Sequence, residues 1–173
     1  MKLFLEVFRR FAFVSSVVLW LGGFTFYTGV VIPTGARALH SHLKQGLVTQ
    51  QVTGWLNLIG IVALAILLWN VLATPRRAKW AYWTAMATWI VMALVQIALF
   101  VLHPIMDRLI VKGHVTDEDR FVKLHGIYGA ISTAQWACGV IHVIAILYIW
   151  TVIEHVEKSA GHLLADAQHG GVG

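Results

Sequence analysis

The chain has 173 residues; 58% are apolar, 12% carry formal charge, and the net charge is +5. Ordinary soluble domains carry about 25% charged residues, so a surface that faces water on all sides is excluded. The positive charge sits in short clusters between apolar runs, as headgroup anchors do, and not in one extended patch, which excludes a nucleic-acid interface.

A membrane-crossing helix needs roughly 20 apolar residues, and four segments meet that need. The first predicted span is about 11–33. It follows a basic start (Lys2, Arg9, Arg10) and precedes an Ala36-Arg37-Ala38 run that mimics a signal-peptidase site. Its apolar stretch exceeds the roughly 7–15 residues of a signal-peptide core, which predicts a retained span. A loop over about 34–51 carries His40, His42 and Lys44. The second span is about 52–73, closed by the tight basic turn Pro75-Arg76-Arg77-Ala78-Lys79. The third is about 80–103, followed by a loop over about 104–124 with Asp107, His114 and the run Thr116-Asp117-Glu118-Asp119. That run reads as a helix start, with Thr116 as N-cap and acids near the positive dipole end. The fourth span is about 126–153, and 154–173 is a polar tail. Trp55, Trp69, Trp80, Trp83, Tyr128 and Trp150 fall near span ends, as an aromatic belt does. The expected fold class is all-α: one polytopic domain over 1–173, with four transmembrane helices in an up-down bundle.

Four crossings put both termini on one side, here face A. Face A carries Lys2, Arg9, Arg10, Arg76, Arg77, Lys79 and Lys158; face B carries Arg37, Lys44, Arg108, Lys112, Arg120 and Lys123. The totals are near, but face A packs three charges into one short turn and face B adds four acids. Because Lys and Arg in short connections mark the inside, both termini are expected in the cytoplasm.

The chemistry-bearing residues are few. The single cysteine, Cys138, rules out an internal disulfide. No Gly-rich phosphate loop, paired-cysteine zinc spacing or His-Glu-x-x-His run occurs. Polar side chains inside a bilayer turn toward other helices or a cavity. Tyr27, Asn57, Gln96 and Gln135 each lie toward face B from mid-span, roughly 6–8 Å off the midplane at 1.5 Å per residue. One polar group per helix at one level reads either as interhelical glue or as the lining of a site. The third span repeats Thr84, Thr88, Met92, Gln96, Leu99, His103 and Asp107 at helical steps. The fourth repeats His125, Tyr128, Ser132, Gln135, Gly139 and His142. Each set forms one face. His103 and His125 reach the same level on neighbouring spans, the minimum for a bis-histidine b-type haem, although interfacial histidines also simply bond headgroups. His40, His42 and Asp107 form a candidate metal set on face B. His142 is an ionisable group inside the bilayer, a functional candidate by default.

Trp20-Leu21-Gly22-Gly23-Phe24 followed by Val30-Val31-Ile32-Pro33, the turn Leu102-His103-Pro104-Ile105-Met106-Asp107, and Leu124-His125-Gly126-Ile127-Tyr128 leading to Ser132-Thr133-Ala134-Gln135-Trp136 together resemble small four-helix bacterial membrane proteins of unknown function related to the eukaryotic transmembrane protein 205. The opening is loosely similar to that of CopD-like membrane proteins. The resemblance implies a four-helix bundle in a bacterial inner membrane without established catalysis, and points to His103, Asp107, His125 and Gln135. No Met-rich or Cys-rich copper site accompanies it.

The expected function is a non-enzymatic membrane protein, an accessory subunit or a small-molecule- or ion-handling bundle, with a site opening to face B between the third and fourth spans. The alternatives are a haem b or quinone-linked electron-transfer subunit using His103 and His125, and a metal-handling transporter. Its expected partners are the lipid bilayer and other membrane subunits.

Overall fold

The computed structural model describes residues 1–40, 42–111 and 114–169, with the side chains of 2, 42–44, 47, 111, 114 and 161–169 left outside the description. Four helices are long and apolar enough to cross a membrane. They are α1 (Leu3–Leu39), α2 (His42–Ala73), α3 (Lys79–Asp107) and α4 (Glu118–His169). Each is antiparallel to the next, and α4 returns beside α1, so the bundle closes as a ring.

The connections are shorter than the sequence suggested. The expected loop over 34–51 is almost all helix, because α1 runs on past Pro33 and turns at His40, the one described non-glycine residue with positive φ (43°). Proline lacks a backbone N–H and collides with the carbonyl four residues back. Here a wider π-helical turn, Tyr27–Val31, immediately precedes it and accommodates the ring. A second π-helical turn, Val18–Gly22, covers the Trp20-Leu21-Gly22 run. The expected loop over 104–124 contracts likewise. The third helix continues through Pro104 to Asp107, and a two-stranded hairpin, β1 (Ile110–Val111) with β2 (His114–Val115), bridges to α4. Thr116 is not the cap of α4. Its N–H and hydroxyl both donate to the Leu109 carbonyl and close the hairpin. Asp117 caps instead, its Oδ1 accepting the Arg120 N–H at 3.0 Å. The fourth helix also runs through the polar tail to His169.

Bilayer hydrocarbon gives apolar side chains no reason to leave the lipid, so helices associate through close packing and polar bonds. Both appear here at a repeat of seven residues. Along α3, Trp89 Nε1 donates to the Leu64 carbonyl (2.8 Å), Gln96 Nε2 to the Asn57 carbonyl (3.2 Å), and His103 Nε2 lies 3.1 Å from the Gln50 carbonyl. Each step is seven residues on along α3 and seven back along α2. The seam between α3 and α4 repeats the device: Gln135 Nε2 donates to the Met92 carbonyl (3.1 Å), and His142 Nδ1 to the Ala85 carbonyl (3.0 Å). A carbonyl keeps a second lone pair beyond its own helix bond. A seven-residue repeat is the signature of left-handed coiled-coil packing.

The core concentrates toward face A, where Phe13, Leu67, Val71, Ala85, Ile146 and Ile149 are all at most 1% exposed. There Arg9 donates to Thr74 Oγ1, Arg10 pairs with Glu6 and Glu154, and its guanidinium covers the Trp150 ring. These contacts fasten α1 to both neighbours. Leu94, Ile97, Phe100 and Val101 on α3 lie outside, facing lipid.

Candidate functional site: a cleft opening at face B

Three of the four side chains expected at one level join in a chain of bonds. Gln135 Nε2 donates to Gln96 Oε1 (2.9 Å), Gln96 Nε2 to the Asn57 carbonyl, and Asn57 Nδ2 to the Tyr128 hydroxyl (3.0 Å). This network runs from α4 through α3 and α2 back to α4. Tyr27 stands apart: it is buried, and its hydroxyl finds no partner among the described residues. His142 sits deeper and is fully buried. Its Nδ1 lies between the Ala85 carbonyl and Thr88 Oγ1 (3.2 Å), which leaves Nε2 without a partner near the Phe13 ring.

Above the network the helices part. A chamber of about 240 Å³ is walled by Gln45, Thr49 and Thr53 of α2, His103 and Asp107 of α3, and His125 and Tyr128 of α4. It shares Ile32, Thr49, Thr53, His125 and Tyr128 with a second cavity of about 380 Å³ between α1 and α4. The two form one cleft, and it involves all four helices rather than the third and fourth alone.

His103 is held on both sides. Nε2 meets the Gln50 carbonyl and Thr53 Oγ1 (3.2 Å), and Nδ1 lies 3.1 Å from Asp107 Oδ2. At the same register of the seam, Trp89 can only donate, and the His103 Nε2 contact with a carbonyl likewise needs a proton on the nitrogen. Nδ1 faces the Asp107 carboxylate. His125 is exposed and stacks on Phe121, with ring centroids 5.9 Å apart and planes at 17°.

The two histidines therefore share a chamber but do not form a ready ligand pair for iron. A metal at His103 must displace a protein partner from one of its two nitrogens. Of the candidate metal set, His40 and Asp107 lie apart. His40 is exposed at the α1–α2 corner and does not line the cleft. The side chain of His42 lies outside the described residues, and Asp107 is committed to His103. Among the described residues no three His, Cys, Asp or Glu side chains come together.

Sequence reasoning missed the α2 wall. Gln45, Thr49, Thr53 and Asn57 recur at every fourth position, the spacing of one helix face, and that polar stripe was the available signal. A second missed signal was the seven-residue spacing of Trp89, Gln96 and His103, three side chains with an N–H to give.

The sequence of residues 15–114 matches a family model described as a domain of unknown function (DUF4149). No curated protein and no solved structure matches the chain. The matched stretch holds most of α1, all of α2 and α3, and β1; His125 and Tyr128 lie beyond it. The chain belongs to this family and is an integral membrane protein of four spans.

Proposed function

Starting from a membrane family whose function is not described, we propose that the protein is a non-enzymatic binding module that holds a small molecule in the face-B cleft. The carrying observation is the cleft itself: a mostly apolar volume with a few converging polar groups, above a polar network whose bonds are already made. Small-molecule sites have this character, at about 300–1,000 Å³. The His103–Asp107 pair supplies a polar edge. The dense basic turn at Arg76, Arg77 and Lys79 supports a cytoplasmic face A in a bacterial inner membrane, so the cleft opens away from the cytoplasm. The motifs at Trp20–Phe24 and Leu102–Asp107, both inside the matched stretch, support kinship with transmembrane protein 205 and, more loosely, with CopD-like proteins.

The test is native mass spectrometry of the full chain, released from detergent after purification from its own membrane. A non-covalent adduct is expected on the wild type. His103→Leu and Asp107→Ala should deplete it about tenfold, the cost of one charge-assisted hydrogen bond, while still melting cooperatively. A wild type without adduct contradicts the reading. An adduct with a haem absorption band, lost in His125→Ala, would replace it with electron transfer.

A further inference from the structure

We infer that the ligand of this cleft is a membrane-dissolved lipophile bearing a carbonyl oxygen, that it enters sideways between α1 and α4, and that the Tyr27 hydroxyl receives its oxygen. The inference rests on the binding reading above and assigns the ligand class.

The 380 Å³ cavity lies at membrane depth, beside Tyr27 and the Gln96–Gln135 level, and its walls are chiefly apolar. Its rim residues Thr25, Thr28, Gly129 and Thr133 are exposed on the flank of the bundle, where the surrounding solvent is hydrocarbon. Toward face A this flank is sealed. Leu21 packs so closely on Gly139 that an added Cβ there would lie 2.7 Å from it. Trp136 Nε1 donates to Thr25 Oγ1 at 2.9 Å. That is the last α1–α4 hydrogen bond toward face B among the described residues. Beyond it α1 widens into its Tyr27–Val31 π-helical turn, a distortion common at functional sites. Across the gap, a Cβ added at Gly129 would meet nothing within 4 Å. The flank is closed below Thr25 and open above it.

The hydroxyls around the cavity specify the chemistry. Thr25, Thr28, Thr49, Thr53 and Thr133 each donate to a carbonyl of their own helix. Tyr27 does not: its side chain lines the cavity, and its hydroxyl lies buried beneath that lining with no partner among the described residues. A buried donor without an acceptor is costly, and inside hydrocarbon no bulk water relieves it. An acceptor delivered by the ligand does. A carbonyl on an apolar chain or ring meets that need. The volume suits one chain or ring of drug-like size.

Two probes share this chemistry: decylubiquinone carries the carbonyl on a ring, and dodecanoic acid carries it on a chain. The full chain in lipid nanodiscs is titrated with each, and with dodecane as a control, and bound fractions are read by native mass spectrometry. At least one oxygenated probe should bind, and whichever does identifies the head. Dodecane should bind no better than that probe binds to Tyr27→Phe. Tyr27→Phe, which keeps the ring, should weaken binding about tenfold. Gly129→Phe should abolish it by filling the gap, and Gly129→Ala should not. Cooperative melting at or near the wild-type temperature, or above it for Gly129→Ala, would show that the variants fold. Binding of neither probe, or equal binding by Tyr27→Phe and Gly129→Phe, overturns the inference. A water-soluble native adduct that is lost in Asp107→Ala but kept in Gly129→Phe overturns it too, while leaving the face-B site standing. Probe binding that ignores His103→Leu and Asp107→Ala supports the lateral pocket and removes the chamber reading.

Discussion

The two halves of the bundle are built from the same helices to opposite ends. Toward face A, Phe13, Leu67, Val71, Ile146 and Ile149 fill the centre, and Arg9 and Arg10 tie α1 to its neighbours. Toward face B, the same four helices diverge around a cleft edged by threonines, amides and a histidine–aspartate pair. The Asn57–Gln96–Gln135 network is the boundary between them. One half supplies stability and the other gives some of it up for space, which is the usual relation between a scaffold and the site it carries.

The largest expected difference is in core deletions. Ile146→Ala in the closed half should cost about 2–5 kcal/mol, because a fully packed site cannot collapse around the void. Met106→Ala, partly buried on the cleft wall, should cost about 1 kcal/mol, the centre of the range for point changes. Reversible unfolding in mixed micelles measures both, and similar losses would erase the distinction. The glycines give a change of sign. An added Cβ at Gly60 would sit 2.7 Å from Gln96 Oε1 and 2.8 Å from Trp20 Nε1, so Gly60→Ala should cost about 1–3 kcal/mol by overpacking. Gly129→Ala meets open space and should stabilise α4 by up to about 1 kcal/mol through helix propensity. The same unfolding assay decides both. Smaller still is the boundary itself. A double-mutant cycle on Gln96→Leu and Gln135→Leu should return a coupling near 0.6 kcal/mol, typical of polar bonds between membrane helices. A coupling several times larger would make the network the main fastener. Least of all is Glu154→Gln. Its carboxylate pairs with Arg10 at the exposed rim of the bundle, so the change should be the smallest of these and should vanish in high salt.

Much of the architecture was legible in the sequence, because four apolar runs of bilayer length admit few arrangements. The stripes on α3 and α4 were legible for the same geometric reason, and they did bring Gln96, His103, Tyr128, Gln135 and His142 inward. The connections were less so. Pro33 and Pro104 read as helix ends, yet a π-helical turn before Pro33 lets α1 continue, and Pro104 sits in the last turn of α3. Thr116 looked like a cap, but a hairpin contact with Leu109 claims it first. The α2 wall went unseen because Gln45, Thr49 and Thr53 lay in a segment read as loop or span edge, where a four-residue polar repeat carries no meaning until helix is assumed. The isolation of Tyr27 from the other polar groups is a matter of helix rotation. The widened turns of α1 alter that rotation in a way that counting residues does not show.

Thiol accessibility tests the contrast between the halves most directly. In a Cys138→Ser background, which removes the only native thiol, Thr49→Cys and Ala85→Cys are each treated with a small hydrophilic maleimide on the folded protein. An open cleft predicts rapid labelling of Thr49→Cys that slows when the cleft is occupied, and an inert Ala85→Cys until the bundle unfolds. Equal protection of both thiols would mean that the face-B half is as closed as the core, and the binding site proposed there would not exist.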